Sequence, residues 1–264
     1  MRKALLIAIG LFSPVLLAAA TVLAQPDTTV QLKVVHAYVA LCDNHHQGIV
    51  PVAEHLGNGQ SPRTNLYWGA LYGVRTFFSR SDDWTLALIK EDPRSAVLER
   101  CVFRSADSAV MLVADAYDGR EIKAAIQDFL ASVAGLTMDT AAVENGLVVC
   151  GGASDMVAYV GHNGLKDHAL ESYPTRRDSV CRETIILACA SKPYFSRALD
   201  SAGACPLLWT TGLMAPEAYT LLAAVESWAA GEPSDSVRAA AAAAYCKYQN
   251  CGLAAARRLL VGGR

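Results

Sequence analysis

The feature that most limits the possible folds is a series of short, largely apolar runs. They are LKVVHAYVAL at residues 32–41, AVMLVADA at 109–116, MVAYV at 156–160 and TIILA at 184–188. Runs of this length that are apolar at nearly every position are typical of strands that are buried on both faces, as strands are in parallel sheets. The four runs therefore predict buried strands.

Helical patterns lie between these runs. The clearest is at residues 120–133, where the apolar residues recur on one face. The spacing also predicts helices over residues 65–78, from about Pro216 and over 234–248. Weaker patterns predict strands at 84–89, 147–149 and 207–210, and either a strand or a short helix at 97–103. We therefore expect an α/β fold, a three-layer sandwich with a mostly parallel central sheet and helices on both faces.

Residues 1–24 predict a signal peptide. Arg2 and Lys3 precede an apolar stretch, and small residues precede a cut after Ala24. An uncleaved anchor is the alternative, because the apolar stretch is nearly long enough to span a bilayer. We expect cleavage, a secreted or periplasmic location and no stable membrane association of the mature chain. Residues 25–264 would then form a single α/β domain with a helical C-terminal extension.

Composition and motifs argue against several partners. The formal charge is −2 and no basic run occurs, so nothing predicts a nucleic-acid partner. The loop GNGQSP lacks the Gly-Lys-Ser/Thr ending of a phosphate cradle. His45, His46 and His55 do not have the spacing of a zinc site. We therefore expect no cofactor and no metal.

The chain has eight cysteines, all beyond residue 24, and no CxxC motif. In an exported protein an even number of cysteines favours disulfides. Cys246 and Cys251, five residues apart at the end of a helical stretch, are the first pair that we expect. If one cysteine is kept free for chemistry, a second must also be unpaired.

Chemistry in a parallel sheet gathers beyond the carboxyl ends of the strands. Three segments lie there in the predicted fold: the loop that begins at Cys42, the GHNG segment around His162, and Cys189. A histidine after one buried strand and a cysteine after the next are the two parts of a thiol nucleophile and its acid–base partner. The two glycines of the GHNG segment, which lie around His162, fit a sharp exit from the strand.

The segments YVGHNG and TIILAC resemble the two signatures of the caspase-like cysteine peptidases, which include caspases, metacaspases, legumains and gingipains. In that family an apolar strand ends in His-Gly and the next ends in Cys, frequently as Ala-Cys. Gly161-His162 and Ala188-Cys189 stand at these places. The resemblance covers residues 32–220 in topology and implies a caspase-like domain.

The resemblance also implies a mechanism. Cys189 would attack a peptide carbonyl, and His162 would protonate the leaving amine. Backbone N–H groups of Cys189 and of Asn163 or Gly164 would hold the oxyanion. Asn163 stands between His162 and Gly164, whereas in the family a glycine directly follows the histidine.

The expected partner is a peptide or protein substrate. Asp43, Asn44 and Gln47 in the loop after the first strand, together with Trp209, are the predicted substrate-binding residues. Asp43 would recognise a basic side chain. Two alternatives stay open: a catalytically inactive binding protein on the same fold, and a secreted α/β protein in which Cys189 is structural.

Overall fold

The computed structural model describes residues 32–107, 109–144 and 146–263. The predicted signal peptide lies outside the described residues. The described residues form an α/β fold with one eight-stranded mixed sheet and a separate two-stranded hairpin. In the described part of the chain, no helix combines the length and apolar character needed to cross a membrane.

Ten strands are present in the described residues. Their bounds are β1 Lys33–Ala40, β2 Trp84–Arg94, β3 Val97–Ser105, β4 Val110–Tyr117, β5 Met138–Val143, β6 Gly146–Gly151, β7 Met156–Val160, β8 Glu183–Leu187, β9 Cys205–Thr210 and β10 Leu260–Val261. The helices are α1 Val74–Ser79, α2 Ile122–Val133, α3 Ser191–Ala202, α4 Ala218–Ala229, α5 Ser234–Gln249 and α6 Leu253–Leu259. Two short 3₁₀ turns cover Gly119–Glu121 and Gly164–Lys166.

The strand order in the large sheet is β10-β9-β8-β7-β1-β4-β3-β2. The pairs that join β4, β1, β7, β8 and β9 are parallel, whereas β2, β3 and β10 pair antiparallel at the two sides. The four apolar runs of the sequence form β4, β1, β7 and β8, which are consecutive in the sheet. Because these strands are parallel, their carboxyl ends share one edge.

Alternate residues of β1 pack in different core clusters, as the period of a strand requires. Val35 and Val39 pack with residues of α1, α4 and α5. Tyr38 packs with residues of α2 and α3, including Phe129 and Phe195. The β5–β6 hairpin covers a third, smaller cluster that includes Val102 and Met111 of the sheet.

The helix predicted over residues 65–78 is wrong in its first two thirds, since only α1 is helical. Asn65 is fully buried and accepts hydrogen bonds from the Cys42 and Tyr67 amides while it donates to the Cys42 carbonyl. Such side-chain hydrogen bonds to the backbone compete with helix formation.

The helix predicted from about Pro216 begins slightly later. Pro216 lies just outside α4, and Glu217, which precedes α4, has an extended backbone. Residues 97–103 belong to a strand.

The predicted Cys246–Cys251 disulfide is wrong, because both thiols are free. The disulfide joins Cys181 and Cys205 instead, with 5.5 Å between their Cα atoms. Cys205 begins β9 and pairs with Glu183 at the start of the adjacent strand β8, so the fold brings the two cysteines together. The pairing depends on strand order and not on proximity in the sequence.

Candidate active site

His162 and Cys189 follow neighbouring parallel strands at matching positions. Val160 at the end of β7 pairs with Leu187 at the end of β8. His162 lies two positions after Val160, and Cys189 lies two positions after Leu187. The expectation that their strands are adjacent is confirmed. Gly161, between Val160 and His162, has φ +149°, and a Cβ there would lie 2.8 Å from the Ala40 carbonyl oxygen. Glycine therefore permits this sharp exit from the strand.

The Cys189 thiol is free and partly exposed. Its Sγ accepts a hydrogen bond from the Met214 amide at 3.3 Å and donates to the Met214 carbonyl oxygen at 3.4 Å. The next residue, Ala190, has left-handed dihedral angles, φ 49° and ψ 41°, and its amide donates to the Gly212 carbonyl oxygen at 2.7 Å. This turn ends the strand segment at Cys189 and starts α3, which leaves the thiol at the carboxyl edge of the sheet.

The His162 side chain is held by the carboxylate of Asp167. Its Nε2 lies 2.7 Å from Oδ2 of Asp167, and the residue is only 7% exposed. The Tyr159 hydroxyl donates to the His162 carbonyl oxygen at 2.8 Å, which fixes the backbone. Asp167 Oδ2 also accepts a hydrogen bond from the Gly48 amide at 2.9 Å. The imidazole is therefore attached to the loop that follows β1.

Asn163 links the two strand ends directly. It is fully buried, and its Nδ2 donates to the Cys189 carbonyl oxygen at 2.7 Å. Its Oδ1 is buried and has no hydrogen-bond partner among the described residues. The Gly164 amide donates to the His162 carbonyl oxygen at 3.0 Å, so this N–H is engaged in the local turn. The oxyanion roles of Asn163 and Gly164 stay predictions.

Within the described part of the chain, no hydrogen bond joins Cys189 Sγ to the His162 ring. The thiol is bonded to the backbone of Met214, and the imidazole is bonded to Asp167. In enzymes without substrate, catalytic hydrogen bonds are often long and shorten only in the complex. The Cys189/His162 dyad therefore stays a prediction, with both groups at the same edge of the sheet.

Asp43 organises the loop after β1. It is fully buried and accepts hydrogen bonds from the His45 and His46 amides, the His46 ring and the Gln60 side chain. Burial alone would raise the pKa of Asp43, but the hydrogen bonds from Gln60, His45 and His46 outweigh it and hold the pKa below its usual range. This carboxylate is ionised and already surrounded by donors from its own loop.

The other predicted substrate-binding residues also make internal contacts. Asn44 exchanges two hydrogen bonds with the backbone of Val52. Gln47 donates to the carbonyl oxygens of Leu41 and Gly119. Trp209 is 2% exposed and lies in the core beside α3. Their predicted roles in substrate binding are not tested by these contacts.

Three residues at the site had not been predicted as site residues. Asp167 follows His162 by five residues, so its proximity in the sequence was a usable signal. Tyr67 is buried beside the Cys42 and Cys189 thiols; burial and these neighbours raise its pKa well above the usual value. Nothing in the sequence indicated that Met214 would contact Cys189.

A second polar cluster lies away from this edge, on β1, β3 and β4. Asp115 is fully buried and receives hydrogen bonds from the Arg100 guanidinium at 2.6 and 2.7 Å and from His36 at 3.1 Å. Beside it, a cavity of about 260 Å³ is lined by Tyr38, Arg94 and other polar residues. Among the described residues, no group of three or more His, Cys, Asp or Glu side chains is arranged to hold a metal.

Comparison of the chain with models of known protein families, with curated proteins and with solved structures found no match.

Proposed function

We propose that the chain is an exported caspase-like cysteine peptidase that hydrolyses peptide bonds with Cys189 as nucleophile and His162 as general acid and base. The observation that carries the proposal is the matched position of the two residues. Val160 and Leu187 are paired on adjacent parallel strands, and His162 and Cys189 each follow their strand's paired residue by two positions. The Asn163 side chain connects the two strand ends through its hydrogen bond to the Cys189 carbonyl oxygen. The thiol is free and partly exposed, and the imidazole follows the neighbouring strand at the same edge of the sheet, as a thiol nucleophile and its acid–base partner would.

The chemistry begins with the Cys189 Sγ–H bond. Its proton passes to His162 while Sγ forms a bond to the substrate carbonyl carbon. The carbonyl oxygen becomes negatively charged, and the amides of Asn163 and Cys189 are the proposed donors that stabilise it. The C–N bond then breaks as His162 protonates the leaving amine. Water hydrolyses the thioester with His162 as base, which releases the acid and restores the thiol.

Two further observations support the finer parts of the proposal. The order along the chain, a histidine after β7 and then a cysteine after the adjacent strand β8, is the order of the caspase-like signatures. The Cys181–Cys205 disulfide supports export, because disulfides persist mainly in oxidising compartments.

The test is hydrolysis of a mixed peptide library, with the products identified by mass spectrometry. We expect the wild type to cleave peptides after mild reduction, and both Cys189→Ala and His162→Ala to lose cleavage. Cys251→Ser is the matched control, because Cys251 is also a free thiol and is exposed. Cleavage that persists in Cys189→Ala would overturn the proposal.

A second candidate is a catalytically silent binding protein in which Cys189 is structural. One observation favours it: the Cys189 thiol accepts a hydrogen bond from the Met214 amide and donates one to the Met214 carbonyl oxygen, and it is not hydrogen-bonded to the imidazole. Under this candidate the wild type cleaves no peptide, and Cys189→Ala lowers stability without changing any activity.

A further inference from the structure

Among the described residues, Asp167 is the charged side chain that forms an ion pair with the His162 ring, and it comes from the turn that follows the proposed histidine. We infer that Asp167 is a positioning residue that completes a Cys189–His162–Asp167 triad, and that residue 48 is glycine because a larger side chain would displace this carboxylate. The inference rests on the proposed function, since positioning matters only if His162 acts on Cys189.

The contact fixes which ring nitrogen carries the proton in neutral His162. A carboxylate can only accept, so Nε2 must be the N–H donor to Asp167 Oδ2 at 2.7 Å. Nδ1 is then the unprotonated nitrogen that can take a proton. The His162 side chain is 6% exposed and that of Asp167 is 31% exposed, so the ring end of this bond is largely shielded from water. A hydrogen bond of this kind sets both the tautomer and the orientation of an imidazole.

A second contact fixes the carboxylate itself. The Gly48 amide donates to the same Oδ2 at 2.9 Å. A Cβ built on Gly48 would lie 2.5 Å from Asp167 Oδ1, and the three atoms nearest to it all belong to Asp167. Gly48 is exposed and its φ lies outside the left-handed region, so the backbone does not require glycine. The space that glycine leaves is the space that the Asp167 carboxylate occupies.

Gly48→Ala, a substitution in a different loop, should therefore displace the Asp167 carboxylate without replacing Asp167 itself. The carboxylate is the flexible end of a side chain, so it can swing away with little loss of stability. That movement breaks the bond to His162 Nε2. Asp167→Ala removes the same bond directly, and Lys166→Ala, at the exposed neighbour of Asp167, is the matched control.

The first readout is the tautomer of His162, measured by ¹⁵N NMR of histidine-labelled protein. We expect the Nε2–H form in the wild type and in Lys166→Ala, and a mixture with Nδ1–H in Asp167→Ala and Gly48→Ala. The second readout is peptide hydrolysis. Because Asp167 orients the base, we expect kcat to fall by about 10²-fold with little change in KM. Asp167→Glu should restore part of the loss.

The possible failures are distinguishable. If the wild type hydrolyses peptides and both Asp167→Ala and Gly48→Ala retain the wild-type kcat, the positioning role is overturned while the proposed function stands. If no Cys189-dependent hydrolysis occurs in the wild type, the proposed function is overturned and the catalytic positioning role with it. Circular dichroism and urea unfolding of each variant separate these outcomes from loss of the fold.

Discussion

Replacing both Cys181 and Cys205 by serine should lower the free energy of unfolding by about 3.5 kcal/mol. The two cysteines are 24 residues apart in the sequence, and the disulfide closes that segment in the unfolded chain. The chain-entropy relation gives a loss of about 12 cal/mol/K for a loop of this length, or about 3.5 kcal/mol at room temperature. For a domain of this size such a change lowers Tm by roughly 7–14 °C.

The assay is urea unfolding of the oxidised wild type and of the double variant, followed by circular dichroism. Cys251→Ser is the control, since an exposed free thiol should contribute less than about 0.5 kcal/mol. Reducing the wild type should reproduce the double variant. A double variant within about 0.5 kcal/mol of the wild type would refute the reasoning, because the loop constraint would then contribute nothing.

Three further predictions concern the core and its charges. Burial raises the pKa of Cys42 to about 11 and that of Cys150 to about 12, so neither thiol should react with a maleimide near neutral pH until the protein unfolds; fast labelling of the folded protein would contradict this. Hydrogen bonds from Arg182 lower the pKa of Asp178 to about 2, so the stability that this pair adds is present above about pH 4 and is lost as the pH falls through about 2. The stability difference between wild type and Asp178→Asn, measured by unfolding at each pH, should therefore shrink over that range, and a constant difference would contradict the assignment. Asp115→Asn should cost about 3–5 kcal/mol of unfolding free energy because it breaks a buried ion pair; a loss below about 1 kcal/mol would show that the pair is dispensable.

The central strands could be predicted because their apolar runs reflect burial directly. β4, β1, β7 and β8 were all visible as largely apolar segments, and an apolar composition on both faces can be read from each segment by itself. Because a histidine follows β7 and a cysteine follows β8, His162 and Cys189 could be expected at one edge of the sheet. The β5–β6 hairpin was only half predicted, because most residues of β5 are partly or fully exposed.

The contacts around the site could not be predicted from local pattern. The Gly48–Asp167 bond joins residues 119 positions apart, and no periodicity encodes such a pair. Asp43 illustrates the same point: an acidic residue after a strand predicted a substrate contact, yet its carboxylate receives donors from its own loop. Asn65 overrode a helical pattern because its side chain bonds the Cys42 backbone. In each case a polar contact that no periodic pattern encodes determined the outcome.

The central claim is that Cys189 is a nucleophile activated by His162. The most direct measurement is the rate at which a peptidyl acyloxymethyl ketone forms a covalent adduct, located by tandem mass spectrometry in a Cys246→Ser/Cys251→Ser background. This background removes two other free thiols that are at least partly accessible. The account predicts an adduct on Cys189 that forms at least about 10²-fold more slowly in His162→Ala, the lower range for loss of an acid–base group. Equal rates with and without His162, or no adduct on Cys189, would contradict it.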